Sequence, residues 1–92
     1  MIQVMIDSKN GRLSAHIALV DHSVSISYRL SAAYDSRLAE TKLLNVLGDH
    51  RLRYFCVRGD DVSLMTDFQT EQEAVEFLKT AGIAEVIEEI IL

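Results

Sequence analysis

Over the first thirty residues, apolar side chains recur at every second position in three successive runs, with turn residues between them. Ile2, Val4 and Ile6 alternate with Gln3, Met5 and Asp7. Leu13, Ala15, Ile17 and Leu19 follow, and then Val24, Ile26, Tyr28 and Leu30 alternate with Ser23, Ser25, Ser27 and Arg29. A period of two sends neighbouring side chains to opposite faces of an extended chain, so each run predicts a strand with one apolar face. Ser8-Lys9-Asn10-Gly11 supplies one hairpin turn and Asp21-His22 a second. Three strands joined this tightly must be antiparallel, with one face on a core and the other wet.

The spacing changes after about Ala32. Leu38, Ala39, Leu43, Val46 and Leu47 form a helical stripe closed by Gly48. Leu52 to Val57 reads as strand again, and Gly59-Asp60 suits a tight turn into Val62, Leu64, Thr66 and Phe68, a second hairpin. Thr70-Glu71-Gln72-Glu73 is a capping box, in which the Thr hydroxyl and the Glu carboxylate each satisfy a free amide at a helix start. That helix turns Ala74, Phe77, Leu78 and Ala81 inward and stops at Gly82. In the last ten residues Ile83, Val86, Ile87, Ile90 and Ile91 recur at helical spacing with Glu85, Glu88 and Glu89 opposite, although dense β-branching also suits a strand; helix is the expected state. The resulting class is α+β: an antiparallel sheet of about five strands, ordered β-β-β-α-β-β-α with a short final helix, and the helices packed on one face.

At 92 residues the chain is expected to be one compact domain, residues 1–92, with no Pro and no low-complexity linker to divide it. No apolar run is long enough to span a membrane. A single Cys precludes an internal disulfide, and no basic segment precedes an apolar stretch as in a secretory signal, so the cytoplasm is the expected compartment.

Charge is divided along the chain. Through Gly59 eight Lys or Arg face five Asp or Glu, about +3, whereas from Asp60 onward nine acids face Lys79 alone, −8, which gives the net −5. One face of the fold should therefore be strongly negative. Asp60, Asp61, Asp67, Glu71, Glu73, Glu76, Glu85, Glu88 and Glu89 are the candidate partner-binding residues, acting by steering and rim ion pairs. The same charge argues against affinity for duplex DNA.

Reactive constellations are sparse. His16, His22 and His50 have no metal-ligand spacing among themselves or with Cys56, so no metal and no other cofactor is expected. Four isolated glycines form no phosphate loop, and no serine elbow occurs. Cys56, mid-strand between Phe55 and Val57, reads as a buried inert thiol. Arg51, Arg53 and Phe55 would share one face of a strand, an arrangement that could stack a base and neutralise phosphates. Asp7 closes the first strand, Glu40 lies on the first helix, and Asp60 and Asp61 end the fourth strand. This order of carboxylates resembles that of the ribonuclease H-like nucleases over roughly residues 2 to 62. The resemblance implies a two-metal nuclease using Asp7, Glu40 and Asp61. The glycines expected after the first Asp are largely missing.

The leading expectation is a non-enzymatic contact module: a regulator, adaptor or inhibitor that meets a protein with a basic surface through an acidic helical face. Ile83, Val86, Ile87, Ile90 and Ile91 are expected to self-associate into a homodimer.

Overall fold

A computed structural model describes residues 1–32 and 35–90. Its elements are β1 (Ile2–Asp7), β2 (Arg12–Val20), β3 (Ser23–Arg29), α1 (Ser36–Arg51), β4 (Leu52–Arg58), β5 (Asp61–Thr66), α2 (Glu71–Thr80) and β6 (Ala84–Glu89). The six strands form one sheet in the order β4-β5-β3-β2-β1-β6, every neighbouring pair antiparallel. The fold is α+β with two helices packed on the sheet.

Alternation decides which face the helices cover. Val4, Ile6, Leu13, Ala15, Ile17, Val24, Ile26, Tyr28, Val62 and Leu64 are buried on one side, beneath Ala39, Leu43 and Leu47 of α1 and Ala74, Val75 and Leu78 of α2. Each large aliphatic side chain in such a core stabilises the fold by roughly 1.5–3 kcal/mol. The opposite face stays open to water, as the intervening polar residues require. The register runs Cys56, Ser63, Ser27, His16, Gln3, Glu88 straight across it, one residue from each strand.

Local signals account for the joins. Gly59 adopts φ 60 in the β4–β5 turn, a conformation that glycine takes without strain. Gly11 is needed for a different reason: a side chain there would collide with the backbone carbonyl of Asp35, where the chain enters α1. The Ser36 hydroxyl, buried at the start of α1, donates to the Ser31 carbonyl and accepts from the Ser31 amide. Helix α1 is interrupted at Gly48 (φ 57, ψ −170) and resumes for one short turn through Arg51. At α2 the Thr70 hydroxyl accepts from the Glu73 amide at 3.1 Å as a capping box requires, while the Glu73 carboxylate accepts from the amide of Gln69, one residue before the cap, at 3.0 Å.

Two expectations are corrected. The sheet has six strands where five were expected, because the last segment is strand β6, not helix. Its partner is the first strand: Ile6 pairs with Ala84, Met5 with Glu85, Val4 with Val86, Gln3 with Glu88 and Ile2 with Glu89. Ile87 is the extra residue of a β-bulge within that ladder. On α2, Val75 joins the buried set and Phe77 is half-buried, while Ala81, which caps the helix end, is exposed.

Candidate functional site

The sheet order places β4 and β6, each paired on one side only, at opposite edges. Five strand spacings of about 4.8 Å separate them by roughly 24 Å. Their chemistry is opposite as well.

At the β6 edge, Glu85, Glu88 and Glu89 are all exposed, and Ile87 stands half exposed at 50% among them. Helix α2 packs beside this strand and adds carboxylates. Glu71 meets the amino group of Met1 at 2.9 Å, and Glu76 lies 3.8 Å from the Lys79 ammonium. Glu73 is committed to the helix cap. Asp67 is half-buried and pairs with Arg51 at 3.5 Å. Asp60 and Asp61 sit at the distant β4–β5 turn, where Asp61 pairs with Arg29 at 3.2 Å. Of the nine acids expected to act together, Glu71 of α2 and Glu89 of β6 line one cleft, Glu85 and Glu88 stand on the helix-free face opposite Met5 and Gln3, and Asp60, Asp61 and Asp67 lie elsewhere.

The expected apolar stripe does not form. A strand with a bulge distributes these residues differently from a helix: Ile83 is buried in the core, Val86 and Ile90 are half-buried, and only Ile87 projects into water. Ile91 lies outside the described residues.

At the β4 edge, every residue from Arg53 to Arg58 is exposed, including Tyr54 at 63%, Phe55 at 60% and Val57 at 52%. The helix layer ends at Leu52, which is half-buried, so nothing covers the rest of the strand. Cys56 is therefore exposed, not buried; an apolar run in sequence becomes a wet one when the topology leaves it at the rim. Arg51, Arg53 and Phe55 do not share a face. Arg51 ends α1, where its guanidinium lies 5.3 Å and 5.5 Å from the ring centres of Phe68 and Phe77, and Arg53 occupies a register shift between Leu52 and Tyr54.

The three carboxylates that resemble a nuclease site are also held apart. Asp7 pairs with Arg12 at 3.3 Å, Glu40 accepts a hydrogen bond from the Tyr28 hydroxyl, and Asp61 engages Arg29. Strands β2 and β3 lie between β1, which carries Asp7, and β5, which carries Asp61, a separation of about 14 Å. Among the described residues no three His, Cys, Asp or Glu side chains are grouped so as to hold a metal ion. Burial, reinforced by the hydrogen bond to Glu40 and its negative charge, pushes the Tyr28 hydroxyl far above its ordinary value, so the pair is a proton-retaining contact between sheet and helix. No described helix is long and apolar enough to cross a membrane.

Sequence reasoning offers Arg51, Arg53 and Phe55 as one face of a strand but does not find the exposed edge of β4. Its composition was visible, but its place at the rim follows from β5 inserting between β4 and β3, which no local pattern encodes. Compared with known proteins, the chain matches no family model, no curated protein and no solved structure.

Proposed function

We propose that this domain is a protein-interaction module that binds a basic, extended segment of a partner at its acidic end, the β6 edge and the adjoining face of α2. The observation that supports this reading is one apolar side chain, Ile87, half exposed on an edge strand whose other exposed residues are Glu85, Glu88 and Glu89. An apolar anchor with a charged rim is the usual anatomy of a contact site. The open edge offers main-chain donors and acceptors for an added strand. The carboxylates would repel a second acidic edge, and they would attract lysine or arginine, which gives discrimination as well as association rate.

Titration of isotope-labelled protein with a soluble peptide of alternating lysine and valine tests the reading. Amide shift changes are expected along β6, β1 and α2, weakening as salt is raised. The triple variant E85Q/E88Q/E89Q should lose them while its melting temperature holds. Shift changes confined to β4, or none at millimolar peptide, would sink the proposal.

A further inference from the structure

The opposite edge is chemically unlike the first, and its exposed apolar residues need a separate account. Among the described residues Arg53, Arg58 and Asp60 have no ion-pair partner, unlike Arg12, Arg29 and Arg51. Unpaired edge strands invite pairing, and proteins usually blunt them with Pro, with charges or with cover. β4 has no Pro, no cover beyond Leu52, and charge only toward its ends.

The geometry points to a second copy of this chain as the occupant of the free side of β4, joined by antiparallel β4–β4 pairing about a two-fold axis that passes between the two Cys56 residues. The register is the one that avoids like charges and gives the free ions partners. If Phe55 sat opposite Cys56 of the other copy, Arg53 would face Arg58, a like-charge pair that destabilises a ladder. With Cys56 opposite Cys56, Tyr54 faces Arg58 and Phe55 faces Val57. Each contact occurs twice. The first brings a guanidinium to an aromatic ring, and the second is an aromatic and β-branched cross-strand pair. Arg53 then lies opposite Gly59, next to the free carboxylate of Asp60, so two of the three lone ions at this edge acquire each other as partners and the third, Arg58, meets Tyr54.

Because the paired positions have equal parity, both copies carry their helices on the same side of a continuous twelve-stranded sheet. Phe55 and Val57, which share the helix-facing side of the sheet with their partners Leu64 and Val62, would meet their counterparts between the two α1 helices. The β6 edges are less suited to such pairing, since registers centred on Ile87 or between Val86 and Ile87 would set Glu85 against Glu89 or Glu88 of the other copy. The dimer leaves one acidic end free on each side. This inference does not depend on what binds there.

The test uses sedimentation equilibrium of the full chain across a micromolar to millimolar series, with and without mild oxidation. The mass is expected to rise to two chains and stop. Residues opposite in an antiparallel ladder have Cα atoms about 4.5–5.5 Å apart, within disulfide reach, so an added two-electron oxidant should join the two Cys56 thiols with loss of two protons. Cys56→Ser should abolish the cross-link without changing the mass in reducing buffer. Phe55→Asp, at an exposed position, should weaken association by roughly tenfold or more with its melting temperature retained. Arg53→Glu should weaken it, and Arg53→Glu with Asp60→Arg should restore it. One chain at every concentration would overturn the proposal. So would a mass that climbs past two, the result expected of head-to-tail pairing of β4 with β6, or a dimer that neither cross-links through Cys56 nor responds to Phe55→Asp.

Discussion

The two rims of this sheet are built from strands of similar length and similar pairing, yet one is basic and aromatic and the other acidic with a single exposed isoleucine. Their interiors differ too. β6 follows α2 after a three-residue connection, which is locked into the core by Ile83, whose amide donates to the Leu78 carbonyl at 3.2 Å. β4 follows α1 directly and is anchored only at its start, by Leu52 and by Arg51 on its aromatic pair. The difference shows how one fold can hold two contact surfaces apart: each edge is fixed at one end by buried groups, and what it then exposes is free to differ.

The sharpest way to break the comparison lies within the β6 segment. Ile83→Asp places a carboxylate in the core and should unfold the protein or cost several kcal/mol. Ile87→Asp, four residues on and half exposed, should leave the melting temperature nearly unchanged. Thermal denaturation of both separates core from surface. Equal losses would mean that Ile87 is packed as tightly as Ile83, and the β6 edge would not be a contact surface.

Tyr28→Phe probes the sheet between the edges. It removes the donor from half-buried Glu40 and should cost about 1–3 kcal/mol at neutral pH. The pH profile carries the sign. The Tyr28 hydroxyl is held above its ordinary value in the folded state, chiefly by burial, so the unfolded chain loses this proton first. Stability from this group is full below about pH 10 and falls as the pH is raised further. Chemical denaturation from pH 8 to 11 should show a decline attributable to this site that is absent in Tyr28→Phe.

At the β4 edge a smaller contrast is expected. Arg51→Ala loses the contacts with Phe68 and Phe77 and the ion pair with Asp67, and should cost about 1–2 kcal/mol. Arg53→Ala, two residues later and exposed without a partner, should fall within about 0.5 kcal/mol of the parent at concentrations where the chain is monomeric. Urea unfolding of the pair checks whether the anchor of the strand and its free rim are energetically distinct.

Much of this arrangement was legible from local chemistry. Alternation in Ile2 to Leu30, the Asn10-Gly11 and Gly59-Asp60 turns and the capping box at Thr70 each act over a few residues, and each leaves its mark in sequence. β6 was hidden by its bulge. With Ile87 inserted, Ala84 and Val86 keep the strand period but the next apolar residue does not, and Ile83, Val86, Ile87 and Ile90 fall on the spacing of a helix. Cys56 was misread because burial of an apolar run depends on which strand ends at the rim, a property of sheet order. The carboxylates suffered likewise: Asp7, Glu40 and Asp61 have a suggestive order along the chain, but the insertion of β5 beside β3 leaves two strands between β1 and β5.

The weakest expected effect concerns nucleic acid, and it tests whether the basic edge means more than pairing between copies. A phosphate-binding surface works through its number of free cations, each displaced counterion adding about 0.9 to the salt slope on duplex DNA. β4 offers Arg53 and Arg58, since Arg29 is engaged by Asp61 and Arg51 by Asp67. Two arginines on a chain of net −5 should give a slope no greater than about 2 and no gel shift at moderate salt and low micromolar protein. A salt-sensitive shift with a steeper slope, lost in Arg53→Ala and Arg58→Ala, would make the β4 edge a nucleic-acid surface and turn Tyr54 and Phe55 into stacking groups. Without that shift, the arginines are too few to hold a polyanion, and enough to set the register of a strand.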